Sequence, residues 1–412
     1  MMGALRWLAV GLMGVALVGA AWVLGFVVAE RTRPELAPVP QNVEAPEAFR
    51  LFDEVWSYVD REYYGDRPAA ATISRGAARG LIAGLDDPWS VFLASEGPEA
   101  ELPTEPLLMD DLGLWVLAVP NGARVLAVLP DGPAAETDLA PGDEIVALRA
   151  DEDADDPALA AADEAEEQRP GHEAASVPIL AQLRDPERTV LDLVAVPADG
   201  PAFGAVLTRT ARADLPDVSA SAPEDGVALV RIPSIDAAAA DALEAALAGS
   251  PERAESWIID LRDNPGGDPA ALPAIAGHFV VGDLYAAVGG EDGDAPRMVA
   301  ADDGRSTPRR LVVLVNAGTV GEAEILAAAL RERAGALLVG ETTYGRDALY
   351  ETRVLADGSR VRLTIAHWTT PDGTRLTEGG LVPDRAVAER DAQLAEALAA
   401  VRTDAQAARE DP

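Results

Sequence analysis

From Gly226 onward the chain alternates short apolar runs with alanine-rich stretches, and few folds satisfy that pattern. GVALVRIP, SWIID, RRLVVLVNAG and ALLVGE are largely apolar over strand length, so they read as strands covered on both faces. DAAAADALEAALAG, ALPAIAGHFVV and VGEAEILAAALRERAG lie between them and read as helices. Apolar strands alternating with helices predict a sheet covered by helices, here a core over residues 213–388. ALYETRVL and RVRLTIAHWT are expected as further strands. A polar amphipathic helix is expected from Ala386 to Ala408, most of it in a C-terminal helix and tail at 389–412.

Upstream the pattern changes twice. Within 47–103, EAFRLFDEVWSYVDREYY places Phe49, Leu51, Phe52, Val55, Trp56 and Val59 on one helical stripe. A second helix is expected from Ile73 to Leu85, ending at Gly84 and the breaker Asp87-Pro88. Over 104–212 the period becomes two: LGLWVLAV, ARVLAVLP and DEIVALRA read as strands with turns at Asn121-Gly122 and Asp131-Gly132. Residues 151–175 are rich in Asp, Glu and Ala and form an acidic surface insertion. A short helix in ASVPILAQL and a strand in TVLDLVAVPA follow.

At the N-terminus, Trp7 to Ala29 is an uninterrupted apolar run of 23 residues. As a helix it would span roughly 34 Å, enough to cross about 30 Å of hydrocarbon. We read residues 1–33 as an uncleaved membrane anchor rather than a signal peptide. A cleavable signal has a shorter apolar core, and the small pair Gly19 and Ala21 lies deep inside the run. Residues 34–46 are Pro-rich and aperiodic, a stalk.

Composition removes several functions. The 412 residues carry 33 basic and 70 acidic side chains, a net charge of −37, against nucleic-acid binding. All 33 basic residues are Arg, so no side-chain amine can act as a general base or Schiff-base former. There is no Cys, and the three His are scattered. No metal and no cofactor is expected.

Four segments carry a family resemblance: GLIAGLDDPWSVFL; DLGLWVLAV with VLPDGPAAETDLAPGDEIVAL; IIDLRDNPGGD; and VVLVNAGTVGEAEILAAAL with LLVGETTYGRDALYE and RLTIAHWTTPDGTRLTEGGLVPD. Their order and spacing resemble the C-terminal processing (tail-specific) serine peptidases over nearly everything after the anchor. The resemblance implies an α+β / α/β multidomain fold: N-terminal helical segment, inserted PDZ-like β domain and mixed α/β peptidase core. It also implies recognition of unstructured protein C-termini, a Ser–Lys dyad, and a position outside the cytoplasm on the periplasmic or extracellular side.

This chain departs from the pattern where the chemistry should lie. The family's Gly-Ser-x-Ser-x-Ser-Glu is here Gly318-Thr319-Val320-Gly321-Glu322-Ala323-Glu324, which puts Gly321 at the nucleophile position. The base position, 25 residues on, holds Arg346, and the position of the Gln that orients the base holds Tyr350. Glycine offers no hydroxyl, and a guanidinium stays charged at neutral pH and accepts no proton. No catalytic group of the family is intact. The resemblance leaves a residual oxyanion turn at Gly266 and Gly267, with the Glu322 amide as second donor. Arg346 is expected to pair with Asp347 or Glu322 and fill the cleft. Thr319 and His367 are the substitute candidates; Ser306 is expected in a loop, and His278 is expected to pack or cap within its helix.

The PDZ-like resemblance places peptide capture at Leu112, Gly113 and Leu114, with Asp111 beside it repelling a carboxylate. A peptide would add as a strand beside Leu114, against Val177, Ile179 and Leu180. The expectation is therefore a membrane-anchored, catalytically inactive homologue. Its partners would be protein C-terminal tails, a partner peptidase or a second copy. The alternative is an active serine-type endopeptidase cutting unfolded C-termini with a non-standard site.

Overall fold

The computed structural model describes residues 47–100, 102–119, 122–130, 132–149, 179–197, 200–210, 218–249, 255–288, 297–299, 310–376 and 379–410. The expected anchor, stalk and acidic insertion, together with Val177 and Ser306, lie outside the described residues. No helix among the described residues is long and apolar enough to cross a membrane.

The chain divides into two units. One comprises residues 1–68 with 354–356, and its described helix is α1 (Glu47–Glu62). The expected stripe is present on α1, but Phe49, Phe52, Val55 and Trp56 on it are exposed rather than packed. The second unit holds residues 69–353 and 357–412. It opens with α2 (Ala70–Ala83) and the short strand β1 (Val91–Leu93).

Next come β2 (Leu107–Met109), β3 (Leu114–Val119), β4 (Gly122–Val128), β5 (Glu144–Leu148), α3 (Ile179–Leu183), β6 (Val190–Val196) and β7 (Phe203–Thr208). The six strands form one antiparallel sheet in sequence order. Alternate residues of β3, β4 and β6, such as Leu114, Val116, Val125 and Leu193, bury a core that α3 closes with Leu180 and Leu183. The strands read from the period are present; β2 and β7 are additions.

The α/β core follows: β8 (Ser219–Glu224), β9 (Val227–Arg231), α4 (Ala237–Gly249), β10 (Ser256–Asp260), α5 (Leu272–Ala276), β11 (Asp283–Val288), β12 (Arg297–Val299), β13 (Arg310–Val315), α6 (Glu322–Ala334), β14 (Leu337–Gly340), β15 (Ala348–Val354), β16 (Arg360–Thr369), β17 (Arg385–Ala386) and α7 (Arg390–Glu410). One sheet runs β17-β14-β13-β10-β9-β8, parallel except for β8. Both faces are covered, as the apolar runs require: Ile259 and Val313 face α4, α5 and α6, while Ile258 and Val312 face Ala397, Ala400 and Val401 of α7. A second, antiparallel sheet runs β1-β16-β11-β12, with β15 on β16.

Two helices differ from expectation. The stretch ALPAIAGHFVV is helical only over Leu272–Ala276, because Gly277 ends it and Phe279 and Val280 turn into the core. His278 is therefore outside the helix, its ring edge-on to Phe279 at 6.3 Å. The C-terminal helix starts at Arg390 rather than Ala386, because Arg385 and Ala386 pair with β14.

Candidate functional site

The parallel strands β10 and β13 end side by side, and their following loops carry the sequence candidates at that carboxyl edge, where open α/β sheets place ligands. Backbone and side-chain bonds stitch the loops together. Val320 N donates to the Asn264 carbonyl at 2.9 Å, and Thr319 Oγ1 to the Leu261 carbonyl at 2.9 Å. Tyr344 N, in the loop after β14, donates to the Thr319 carbonyl at 3.1 Å.

Gly321 caps α6 with φ +56° and ψ −111°, a backbone that side-chain-bearing residues rarely adopt. Glu324, three residues on, folds back under it. Its carboxyl accepts from Gly321 N at 2.8 Å, Arg346 N at 2.9 Å, Gly345 N at 2.7 Å and the Thr343 hydroxyl at 2.5 Å. Burial pushes the Glu324 carboxyl above its usual range, and the Thr343 hydroxyl and the amides pull it back only in part. A carboxyl raised on folding takes up a proton more readily in the folded than the unfolded chain. Acidification through that range therefore favours the folded state as far as Glu324 is concerned.

Arg346 comes back over Gly321 from the β14–β15 loop. Its guanidinium is fully buried and pairs with Glu322 at 2.6 Å. A Cβ on Gly321 would lie 2.0 Å from Arg346 Nη2 and 2.5 Å from Cζ, so the guanidinium fills the space a side chain at 321 would need. Burial works against the Arg346 charge, but Glu322, Tyr350 and Glu324 outweigh it and hold the group above its ordinary value. Of the two expected partners, the structure pairs Arg346 with Glu322. Asp347 turns away to His367 Nδ1 at 2.9 Å and Arg375 at 3.3 Å.

The glycine turn is also engaged. Gly267 N donates to Glu322 Oε2 at 3.0 Å, and Gly266 N donates to Asn264 Oδ1 at 2.9 Å. The two turn amides expected as residual oxyanion donors are therefore satisfied within the chain, and Glu322 contributes its carboxylate as acceptor there. A Cβ on Gly266 would lie 2.3 Å from that carboxylate, which explains glycine at this position.

The substitute candidates sit differently. Thr319 is fully buried; its hydroxyl donates to Leu261 and accepts from Asn316 N at 3.0 Å, a structural pair of bonds. Replacing Thr319 by Ala is expected to cost about 1–3 kcal/mol in denaturant unfolding, and to leave peptide cleavage unaltered. A cleavage activity abolished by that change would reinstate Thr319 as a nucleophile. His367 is half-exposed on β16, paired with Asp347 and without a described hydroxyl bonded to it.

Tyr350, on β15, donates to Glu105 at 2.7 Å. Burial, with Glu322 adding to it, pushes its phenol well above the ordinary value. Several residues here were not singled out from sequence: Glu324, Asn264, Trp89, Glu105 and Arg362. One signal could have found Glu324, since it stands at the third helical position, where a carboxyl reaches back to the cap amide.

The expected peptide groove takes another form. Leu112 and Leu114 are fully buried in the sheet core, as is Leu180, while Ile179 packs against it. β3 is an interior strand: β4 lies on one side, and β2 pairs on the other, Leu107 with Val116 and Met109 with Leu114. The edge at which an incoming strand was expected is filled by the chain itself. Asp111 is bound to Arg209 at 2.6 Å rather than left to repel a ligand.

A doubly covered α/β sheet, a glycine turn after one strand, and a strained helix entry after the next make up the core. Residues 226–387 match Peptidase family S41, so the chain carries a domain of that family. It is homologous to C-terminal processing proteases. It is 29% identical over 391 residues to the carboxyl-terminal-processing protease of Synechocystis sp., covering 89% of this chain and 87% of the relative. To the carboxy-terminal processing protease CtpB of Bacillus subtilis it is 24% identical over 387 residues, 90% of this chain and 75% of the relative. Among solved structures, the photosystem II D1 C-terminal processing protease shares the fold with a TM-score of 0.56, at 23% identity over 82% of this chain and 86% of the other.

Proposed function

We propose that this chain is a non-catalytic homologue of the C-terminal processing proteases that acts by binding protein partners. The observation carrying the reading is the Arg346 guanidinium in the side-chain space of Gly321, held by Glu322, whose carboxylate also occupies the Gly267 amide. Nucleophile, base and oxyanion donor are thus replaced by one internal ion pair. Loss of a nucleophile alone removes about 10⁶ of rate in the serine protease subtilisin. The partners are polypeptide C-termini, a partner peptidase or a second copy of the chain. The six-stranded sheet serves as a PDZ-like module, and a tail reaching β3 must first displace β2. Residues 7–29 anchor the chain in a membrane, with the bulk of it outside the cytoplasm.

The test incubates the full-length chain with an unfolded protein ending in an apolar tail and follows the intact mass. No fragment is expected. The comparison variant carries Gly321→Ser, Arg346→Lys, Tyr350→Gln and Glu322→Ala, the last because the Glu322 carboxylate would otherwise occupy the oxyanion amide. Cleavage by that variant alone supports a competent scaffold with a dead site. Fragments from the natural chain, at a rate tracking its concentration through purification, would refute the reading.

A further inference from the structure

We propose that Gly321 and Arg346 form the central rung of an interdomain joint, a stack of alternating guanidinium groups and aromatic rings that fastens the six-stranded sheet to the α/β core. The order of the stack is Arg124, Trp89, Arg346, Tyr350, Arg362. Arg124 lies 5.1 Å from the Trp89 ring and Arg346 5.9 Å from the same ring. Arg346 is 5.3 Å and Arg362 5.4 Å from the ring of Tyr350. Trp89 is braced by Tyr344, edge-on at 5.9 Å.

The two ends of the stack belong to different parts of the fold, Arg124 to the six-stranded sheet and Arg362 to β16 of the core, from which it reaches across to the sheet. Arg124 is on β4, paired with Glu144 of β5. Arg362 is fully buried and donates to the carbonyls of Trp89, Thr104 and Ala118, the last on β3. Burial lowers its guanidinium to about 10, and no carboxylate is bonded to it among the described residues. Its bonds go to three separate stretches of backbone, so they define one placement of the sheet. The middle of the stack belongs to the core: Arg346 is held by Glu322 at the start of α6, and Tyr350 stands on β15. Alongside it, Leu117 of β3 and Leu126 of β4 pack on Val320, next to Gly321.

Gly321 is required by this arrangement. Any Cβ there meets the guanidinium at 2.0 Å, and a guanidinium that swings aside gives up its bond to Glu322 and its place between Trp89 and Tyr350. Glycine at 321 and arginine at 346 are therefore one structural solution rather than two separate losses.

The test is hydrogen exchange on the full-length chain, read as protection of the β3 and β4 amides relative to those of β10 and β13. Trp89→Leu and Gly321→Ala are expected to speed β3 and β4 exchange at least about tenfold, the factor that loss of a desolvated cation–aromatic contact produces in an opening equilibrium. Tyr350→Phe keeps the ring in the stack and loses only the bond to Glu105, so it is expected to speed exchange less than either loosening variant. Wild-type protection of β3 and β4 in both loosening variants would overturn the proposal, as would equal acceleration in β10 and β13. The readout is protection, so it stands apart from whether the chain cuts peptides.

Discussion

Glu324→Ala should unfold at markedly lower denaturant, with a loss of about 4 kcal/mol or more, close to the upper end for single substitutions. The reason is the number of donors that converge on one carboxyl. Three backbone amides and the Thr343 hydroxyl all point at Glu324, inside a fully buried site. Each stranded donor costs about 1–3 kcal/mol, and the three amides cannot reorient because they belong to the loops that shape the helix entry. Thr343 is doubly involved, since its oxygen also accepts from Leu381 N at 2.7 Å. Denaturation followed through Trp257 and Trp368, both buried in the core, measures the effect. A loss below about 1 kcal/mol would show that the donors find other partners.

Arg346→Met should be nearly as severe, and instructive in its rescue. Removing the guanidinium strands the Glu322 carboxylate, which is itself buried. Breaking one side of a buried ion pair costs about 3–5 kcal/mol, whereas replacing both sides with groups of similar shape is often neutral. The pair Glu322→Gln with Arg346→Met should therefore recover most of the stability lost by Arg346→Met alone. Glu322→Gln keeps an acceptor for the Gly267 amide. Additivity of the two changes in denaturant unfolding would show that Arg346 acts through its ring contacts and not through the carboxylate.

The sequence made the α/β core legible because β9, β10, β13 and β14 are buried on both faces, so their composition alone marks them. β8 was illegible for the opposite reason: SASAPE lies largely exposed at the sheet edge and has no apolar period. β2 is three residues long, too short to show one. At the site, positions 321, 346 and 350 were readable by register with the family motif. What joins them was not, because Trp89, Glu105 and Arg362 reach the site from distant parts of the chain. The pairing of Arg346 with Glu322 rather than Asp347 depends on which way the 344–347 loop turns, and neighbouring residues in sequence do not encode that turn.

β2 has a consequence for any ligand that extends the six-stranded sheet. It is joined to β3 by only residues 110–113, so it faces that edge as a tethered competitor. A strand on so short a tether is present at an effective concentration on the order of millimolar, whatever the amount of protein in solution. A free polypeptide tail must outbid that concentration before it gains a single ladder bond. The sheet would then act as a threshold element: dilute or weakly matching tails leave it closed, and only an abundant or well-matched one displaces the resident strand.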